Sequence, residues 1–519
     1  MSIPSDDASR LVFWLREDAA QSAAMELELQ AFERAERVRL GIADAPVVHW
    51  RDGAPRRFVR AERATTTLLC GGLTQAQDLL IQGALTGVGY KVEVLGTPDN
   101  EALRVGREFG NRGQCNPTYF TVGNLVKHLV ALRDEQGLAV RDIIERHVFV
   151  TAGACGPCRF GTYATEYRKA LRDAGFEGFR VLLFQQQGGL RQACGDGDGL
   201  ELDRRFFLAL LRAVVAGDVL NAMGYRMRPY ERVAGATDAA LECCKSVVHA
   251  ALARRASIVV ALGRCRALLA GVALDRSQVK PKVSVIGEFW AMTTEGDGNY
   301  RLHAFLESEG AEVAVQPVTA WLLYNLWQIR WDTRRRMRLR TPDAARHGLA
   351  GRRPWRRLLA MRLAELGLRA GYGLYAAVVG LPACRLCDLD EIATLSHPFY
   401  DNHLRGGEGH MEVGKLIQSV RERKAHMVVS VKPFGCMPSS GVSDGVQSLV
   451  TEKYPEAIFC SIETTGDGAA NAHSRILRDL FKARRRALEA ASAPPQGFEK
   501  TLRNVFNYLK TKAKSRPQA

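Results

Sequence analysis

His147-Val148-Phe149-Val150-Thr151 leads into Gly153-Ala154-Cys155-Gly156-Pro157-Cys158-Arg159-Phe160-Gly161, and a charged helical pattern follows from Tyr163 to Ala174. A short apolar run, a Gly/Pro/Cys loop and then a helix make the first half of a β–α–β unit. The same alternation recurs on both sides. Upstream, Thr66–Cys70 reads as a strand, and Gly71-Gly72 opens a helix through about Gly87. Lys91–Leu95 is the next strand, and Asn124–Gln136 is a helix stopped by Gly137. Downstream, Arg180–Phe184 is again a strand. A second unit begins near Pro281, with strand Val283–Gly287, helix Tyr300–Gly310 and strand Ala311–Val315. The pattern resumes with strands Met427–Val431 and Ile458–Ile462. Strands alternating with helices predict an α/β protein with two or more Rossmann- or flavodoxin-like domains built on parallel sheets.

Composition divides the chain further. Of its 519 residues, 46% are hydrophobic and 25% charged, as in ordinary globular proteins. The formal charge of +16 is concentrated in two places. Trp331–Ala370 holds twelve arginines against three acids, and Lys482–Ala519 holds ten Lys/Arg against two. The body is therefore near neutral. The expected organisation is a charged helical extension (1–62), a first α/β domain (63–275), and a second in two pieces (280–330 and 371–485). An arginine-rich insert (331–370) and a basic tail (486–519) complete it. No run approaches the roughly 18–20 apolar residues of a membrane span. Gly371–Ala383 comes nearest and is too short. No basic, then apolar, leader pattern opens the chain, so the cytoplasm is the expected location.

Twelve cysteines are many for a reducing compartment, where disulfides are not expected. Most read as small buried hydrophobes. Four stand out because they fall in three Gly/Pro loops at the ends of strands or starts of helices, where parallel sheets hold ligands. Cys155 and Cys158 are in the loop quoted above. Cys115 is in Gly113-Gln114-Cys115-Asn116-Pro117, and Cys436 in Lys432-Pro433-Phe434-Gly435-Cys436-Met437-Pro438. Glycine-rich loops admit a bulky inorganic group and offer it backbone N–H donors. Three chemistries fit. An iron–sulfur cluster would draw thiolates from separate loops. A structural zinc would pair Cys155/Cys158 with Cys384/Cys387. A redox CxxC would use Cys155 and Cys158 alone. A chain without metal fits as well. No phosphate-binding GxxxxGK[ST] motif is present, so any ATP hydrolysis belongs to another chain.

The loops around Cys115, around Gly156-Pro157-Cys158-Arg159-Phe160-Gly161 and around Gly435-Cys436-Met437-Pro438 resemble those of the 2-hydroxyacyl-CoA dehydratase superfamily. The nearest branch is that of the acyl-CoA dehydratase activase-related proteins. Leu395–Gly414 with Gly406-Gly407-Glu408-Gly409, Ile462–Gly468 and Val285–Phe289 are similar to the same branch. The resemblance covers about 65–330 and 390–485. It implies a cluster in the cleft between the α/β domains, of 4Fe-4S or double-cubane type. Cys115, Cys158 and Cys436 would be its ligands, with Cys155 the substitute if its loop shifts register. Arg159 would offset cluster charge, and Gly435 and Glu408 would lie around it. The implied activity is a lyase of the dehydratase type, or a reductase component. The implied partners are an ATP-hydrolysing activator, a homologous subunit and an acyl-CoA substrate. The activator's ATPase half is missing from this chain, and the arginine-rich insert is foreign to the family.

The remaining features have simpler readings. Glu288, His397, Glu408 and Asp467 are loop residues that more often cap helices or satisfy turns than face a site. Cys243 and Cys244 lie in a helical pattern and read as core. Pro354–Arg369, with Trp355, Leu358, Leu359, Leu363 and Leu366, reads as a cationic amphipathic helix. Such a helix suits an anionic membrane or partner, although a solvated face on an insertion is the plainer expectation. Nucleic acid is not expected, since base-reading groups are few. The competing function is a zinc-bound or metal-free scaffold subunit that binds a partner through its basic segments.

Overall fold

The computed structural model describes residues 25, 27–41, 58–153, 158–185, 199–339, 348–349, 353–381, 386–404 and 409–492. Cys155, Cys194, Cys384, Gly406-Gly407-Glu408 and the tail from 493 lie outside the described residues. The chain divides into two compact units, Met1–Gly53 and Ala54–Ala519. In the first, residues 27–39 form a helix, α1, whose Leu27, Leu29 and Phe32 are exposed. All that follows concerns the second unit.

Its architecture is α/β, with two four-stranded parallel sheets. The first contains β1 (Thr67–Cys70), β2 (Lys91–Val94), β3 (His147–Gly153) and β4 (Arg180–Gln185), in the order β2-β1-β3-β4. The second contains β5 (Lys282–Gly287), β6 (Glu312–Val315), β7 (Met427–Pro433) and β8 (Phe459–Thr464), in the order β6-β5-β7-β8. The two orders are the same arrangement used twice, a relationship the sequence alone does not disclose. In each, the chain reverses direction across the sheet between its first and third strands. That switch point is where open parallel sheets hold ligands.

The first sheet is flanked by α2 (Gln75–Gly87), α3 (Asn100–Phe109), α4 (Asn116–Asp134), α5 (Val140–Arg146) and α6 (Tyr163–Asp173). α4 begins at Asn116, two turns before the expected Asn124, because Pro117 suits the first turn of a helix and cannot continue a strand. A long connection then supplies α7 (Arg204–Met227), α8 (Ala236–Ala253) and α9 (Ile258–Ala270). Around the second sheet lie α10 (Phe289–Thr293), α11 (Leu302–Ser308) and α12 (Val318–Met337). They are followed by α13 (Pro354–Val379), α14 (Leu389–Ser396), α15 (Gly409–Arg421), α16 (Met437–Gly441), α17 (Gln447–Lys453) and α18 (Ala469–Ser492).

The largest core is all-helical. α2, α7, α8, α9, α12, α13 and α14 bury Leu80, Val219, Leu262, Trp327 and Tyr372 together. Among the described residues of the arginine-rich stretch, Thr333, Glu365 and Leu368 are buried, whereas Arg334, Arg335, Arg338, Arg353, Arg356 and Arg357 are exposed, so its inner side joins this core and its outer side is a solvated face. Arg330, 2% exposed, donates to Glu365 at 3.0 Å and to Asp390 at 3.0 Å. Arg362 donates to the same two carboxylates. The side of α13 that enters the core carries Leu368, Tyr372, Ala376 and Val379, and Leu359, Leu363 and Leu366 face outward. α7 also corrects the search for apolar runs. Arg204–Tyr230 is long and apolar enough to cross a membrane by length and composition, and half of its apolar window is buried in the protein. A core helix meets the same criterion. Asp218, midway along α7, accepts from the N–H groups of Val318 and Thr319 and so caps α12. Burial pushes its carboxyl up to about 6.

Candidate functional site

At the second switch point β5 and β7 come very close. A Cβ on Gly287 would stand 1.9 Å from the Val431 carbonyl oxygen, so only glycine fits there. Glu288 follows β5 and caps α10 by accepting from Ala291 N–H at 2.8 Å. Cys436 follows β7 and occupies the N-cap position of α16. The strand ends thus present a carboxyl and a thiol at one sheet edge, and the charge of Glu288 acts on the Cys436 thiol.

The Cys115 loop packs onto these strand ends from the first α/β half. Cys115 is the N-cap residue of α4. The N–H of Asn116 donates to the Phe434 carbonyl at 3.0 Å, and its side-chain amide donates to the Thr464 carbonyl at 3.0 Å. Gly435, at φ +78°, passes directly beneath this loop, and a Cβ there would stand 3.1 Å from Cys115 Cα. Left-handed backbone and close approach both demand glycine. Cys115 and Cys436, 6% and 8% exposed, are therefore buried on two loops in direct contact.

The rest of the Cys115 loop is set by Glu166 on α6. Its carboxylate accepts from the backbone and side chain of Asn111 and from the side chain of Gln114. The Cys115 sulfur lies 3.2 Å from the Thr118 hydroxyl and 3.3 Å from the Tyr163 hydroxyl. Burial, and next the Cys115 charge, raise the Tyr163 phenol well above its ordinary range, so it keeps its proton. Burial likewise pushes the Cys436 thiol well up, with Glu288 adding to the shift. Burial also raises Glu288 itself, against the backbone N–H groups it accepts.

Cys158 heads a single 3-10 turn, Arg159–Thr162, and its sulfur accepts from Phe160 N–H at 3.4 Å. The Phe160 ring meets Tyr163 edge-on at 4.9 Å, so this turn and Cys115 share Tyr163 as a neighbour. Arg159 Nε is shielded from solvent and has no hydrogen-bond partner among the described residues. Among the described residues, no group of three or more His, Cys, Asp or Glu side chains is arranged to hold a metal ion. The donor set nonetheless suits a thiophilic group at Cys115 and Cys436, whose buried sulfurs sit at helix starts on touching loops.

Other polar residues named from the sequence go elsewhere. Asp467 accepts from Thr465 within its own turn, which holds its carboxyl low. His397 lies edge-on to His403, with ring centres 6.4 Å apart. Cys387 packs at the helical core, where its carbonyl accepts from Arg369. Cys244 is core, facing Cys265 across α8 and α9, whereas Cys243 is exposed. Sequence reasoning missed Tyr163, Asn116 and Glu166. Their one signal was adjacency, since Asn116 follows Cys115 and Tyr163 opens the helix after the Cys158 turn. It also missed Glu412, which accepts from Ser439 on the Cys436 helix at 2.9 Å. Compared with protein-family models and with curated proteins, the chain matches none.

Proposed function

We propose that this chain is an iron–sulfur protein resembling components of the 2-hydroxyacyl-CoA dehydratases. The cluster would lie where the Cys115 loop meets the carboxyl end of the second sheet, between two flavodoxin-like halves. The observation that carries this is the contact between the loops of Cys115 and Cys436, made through Asn116 and Phe434. Cys115, Cys436 and Cys158 would hold the cluster, with Cys155 as the substitute for Cys158. Such a cluster, when bound, supplies a one-electron carrier of low potential.

The protein's own residues prepare the place. Gly435 admits the close loop crossing. Burial of both thiols excludes water. Tyr163 keeps its proton and its hydroxyl lies within hydrogen-bond reach of the Cys115 sulfur. Burial raises the Glu288 carboxyl, and its charge in turn acts on Cys436. Arg159 would offset anionic charge at the Cys158 turn. In this reading an ATP-hydrolysing activator delivers the electron and an acyl-CoA thioester is dehydrated or reduced. A homologous subunit would complete the assembly, and the cytoplasm would be its setting.

The test is iron, zinc and acid-labile sulfide per chain in protein purified without oxygen, with EPR after reduction. About four iron and four sulfide with a reducible signal support a single cubane, and a larger count a double-cubane centre. Zinc without sulfide replaces the cluster with a structural cysteine site. Neither metal leaves a scaffold subunit acting through its basic segments.

A further inference from the structure

The helical half leaves one surface uncovered among the described residues. Opposite its buried side, α13 carries Trp355, Leu359, Leu363, Leu366 and Leu374, each between 50% and 62% exposed. At 3.6 residues per turn these positions fall on one stripe. The helix has 26 residues, about 39 Å of length at 1.5 Å per residue. α9 packs beside it. Leucines on a soluble helix normally point inward, and a continuous exposed apolar patch marks a binding surface.

The two helices themselves carry mainly cations, with Asp388 lying beside Leu366 and Arg369. α9 contains no acidic residue. α13 contains only Glu365, which is buried and paired with Arg330 and Arg362. Arg266 on α9, and Arg353, Arg356 and Arg357 at the start of α13, are exposed. The Arg356 guanidinium lies 5.3 Å from the centre of the Trp355 ring. At the far end Gly380 meets the Arg266 side chain. There a groove opens, lined by Arg226, Arg266, Arg276 and Lys282 with Glu312 as its one acid. The apolar stripe is thus cationic at both ends.

That pattern selects the occupant. A second copy would bring cations against cations in either helix direction. The basic tail has the same defect. A phospholipid bilayer with anionic headgroups offers both apolar depth and negative charge. We propose that the α9–α13 face docks on an anionic bilayer surface. Leu359, Leu363 and Leu366 enter the headgroup–acyl boundary, Trp355 sits at the interface, and the flanking arginines engage lipid phosphates. This inference is independent of the iron–sulfur reading.

The test is co-sedimentation of the full chain with phosphatidylglycerol–phosphatidylcholine vesicles, against phosphatidylcholine alone. Pelleting is expected only with the anionic vesicles. Leu363→Ser with Leu366→Ser keeps every charge and should weaken binding tenfold or more. Arg356→Gln with Arg357→Gln should do likewise, and all four positions are exposed, so circular dichroism should be unchanged. Wild-type-like binding by the serine variant would assign attachment to the basic tail and overturn the proposal. So would failure of the full chain to pellet. A wild-type dimer that the serine variant splits, seen by analytical ultracentrifugation, would give the face to a second copy and overturn it too.

Discussion

The backbone N–H of Asn116 donates to the carbonyl of Phe434 at 3.0 Å, tying the residue after Cys115 to the residue two before Cys436. More than three hundred positions of sequence separate the partners. The bond makes one site of two loops that belong to different sheets, and three of the predictions depend on it.

Cys436→Ala and Cys115→Ala should each remove most of the iron from protein prepared without oxygen, if the proposed cluster is held there. Iron and sulfide analysis checks this. Replacing Cys387 by Ser should leave the iron unchanged, because Cys387 packs with the helical core beside Arg369. Loss of iron in that variant would move the ligand set to the four-thiolate alternative.

In metal-free protein, Cys436 should alkylate far more slowly than Cys243. Cys436 is buried, and burial raises its thiol so that little thiolate forms near neutral pH. Cys243 is exposed. Iodoacetamide labelling followed by peptide mass spectrometry reads both rates, and equal rates would refute the buried placement.

Gly435→Ala should destabilise the protein by about 1–3 kcal/mol, since it forces a side chain onto left-handed backbone. The added Cβ also meets Cys115 Cα at 3.1 Å. Urea titration measures the loss. The same variant should weaken iron retention even where both thiols remain.

Arg330→Met should cost about 3–5 kcal/mol, the usual effect of removing one partner from a buried ionic network. Glu365 is left buried without its main cation, and Asp390 loses two of its hydrogen bonds. Thermal unfolding provides the measurement. Arg338, outside this network, should be replaceable with little change.

Two sets of groups give opposite pH slopes. His410 stacks on Trp327 at 4.6 Å, and burial pulls its pKa down to about 4. In the unfolded chain it titrates near 6.5. The unfolded state therefore binds more protons between those values, and stability falls as pH drops through that window. His410→Phe should preserve the stacking and recover up to roughly 3 kcal/mol at the acid end. Asp78, which accepts from Gly72 and Leu73 N–H groups, is pushed up to about 7 by burial. Here the folded state binds the extra proton, so stability falls as pH rises from about 4 to 7. Asp78→Asn should flatten that limb, and unfolding free energies measured across pH 4–8 separate the two.

The sequence by itself determined the α/β class and nearly every strand, because buried parallel strands are short apolar runs bounded by Gly and Pro. Val283–Gly287 and Arg180–Phe184 fall within a residue of strands β5 and β4. It also marked Cys115, Cys158 and Cys436 by the glycine-rich loops that hold them. The tertiary structure alone decided which loops meet. Hydrogen bonds such as Asn116 to Phe434 join residues with no local signature of their pairing. It alone decided which side of α13 is buried. Leu368 and Tyr372 face the core and Leu359 and Leu363 do not, yet all are apolar, and periodicity cannot choose between two apolar faces. On that inner side Glu365 accepts from the buried guanidinium of Arg330, a pairing no local pattern announces.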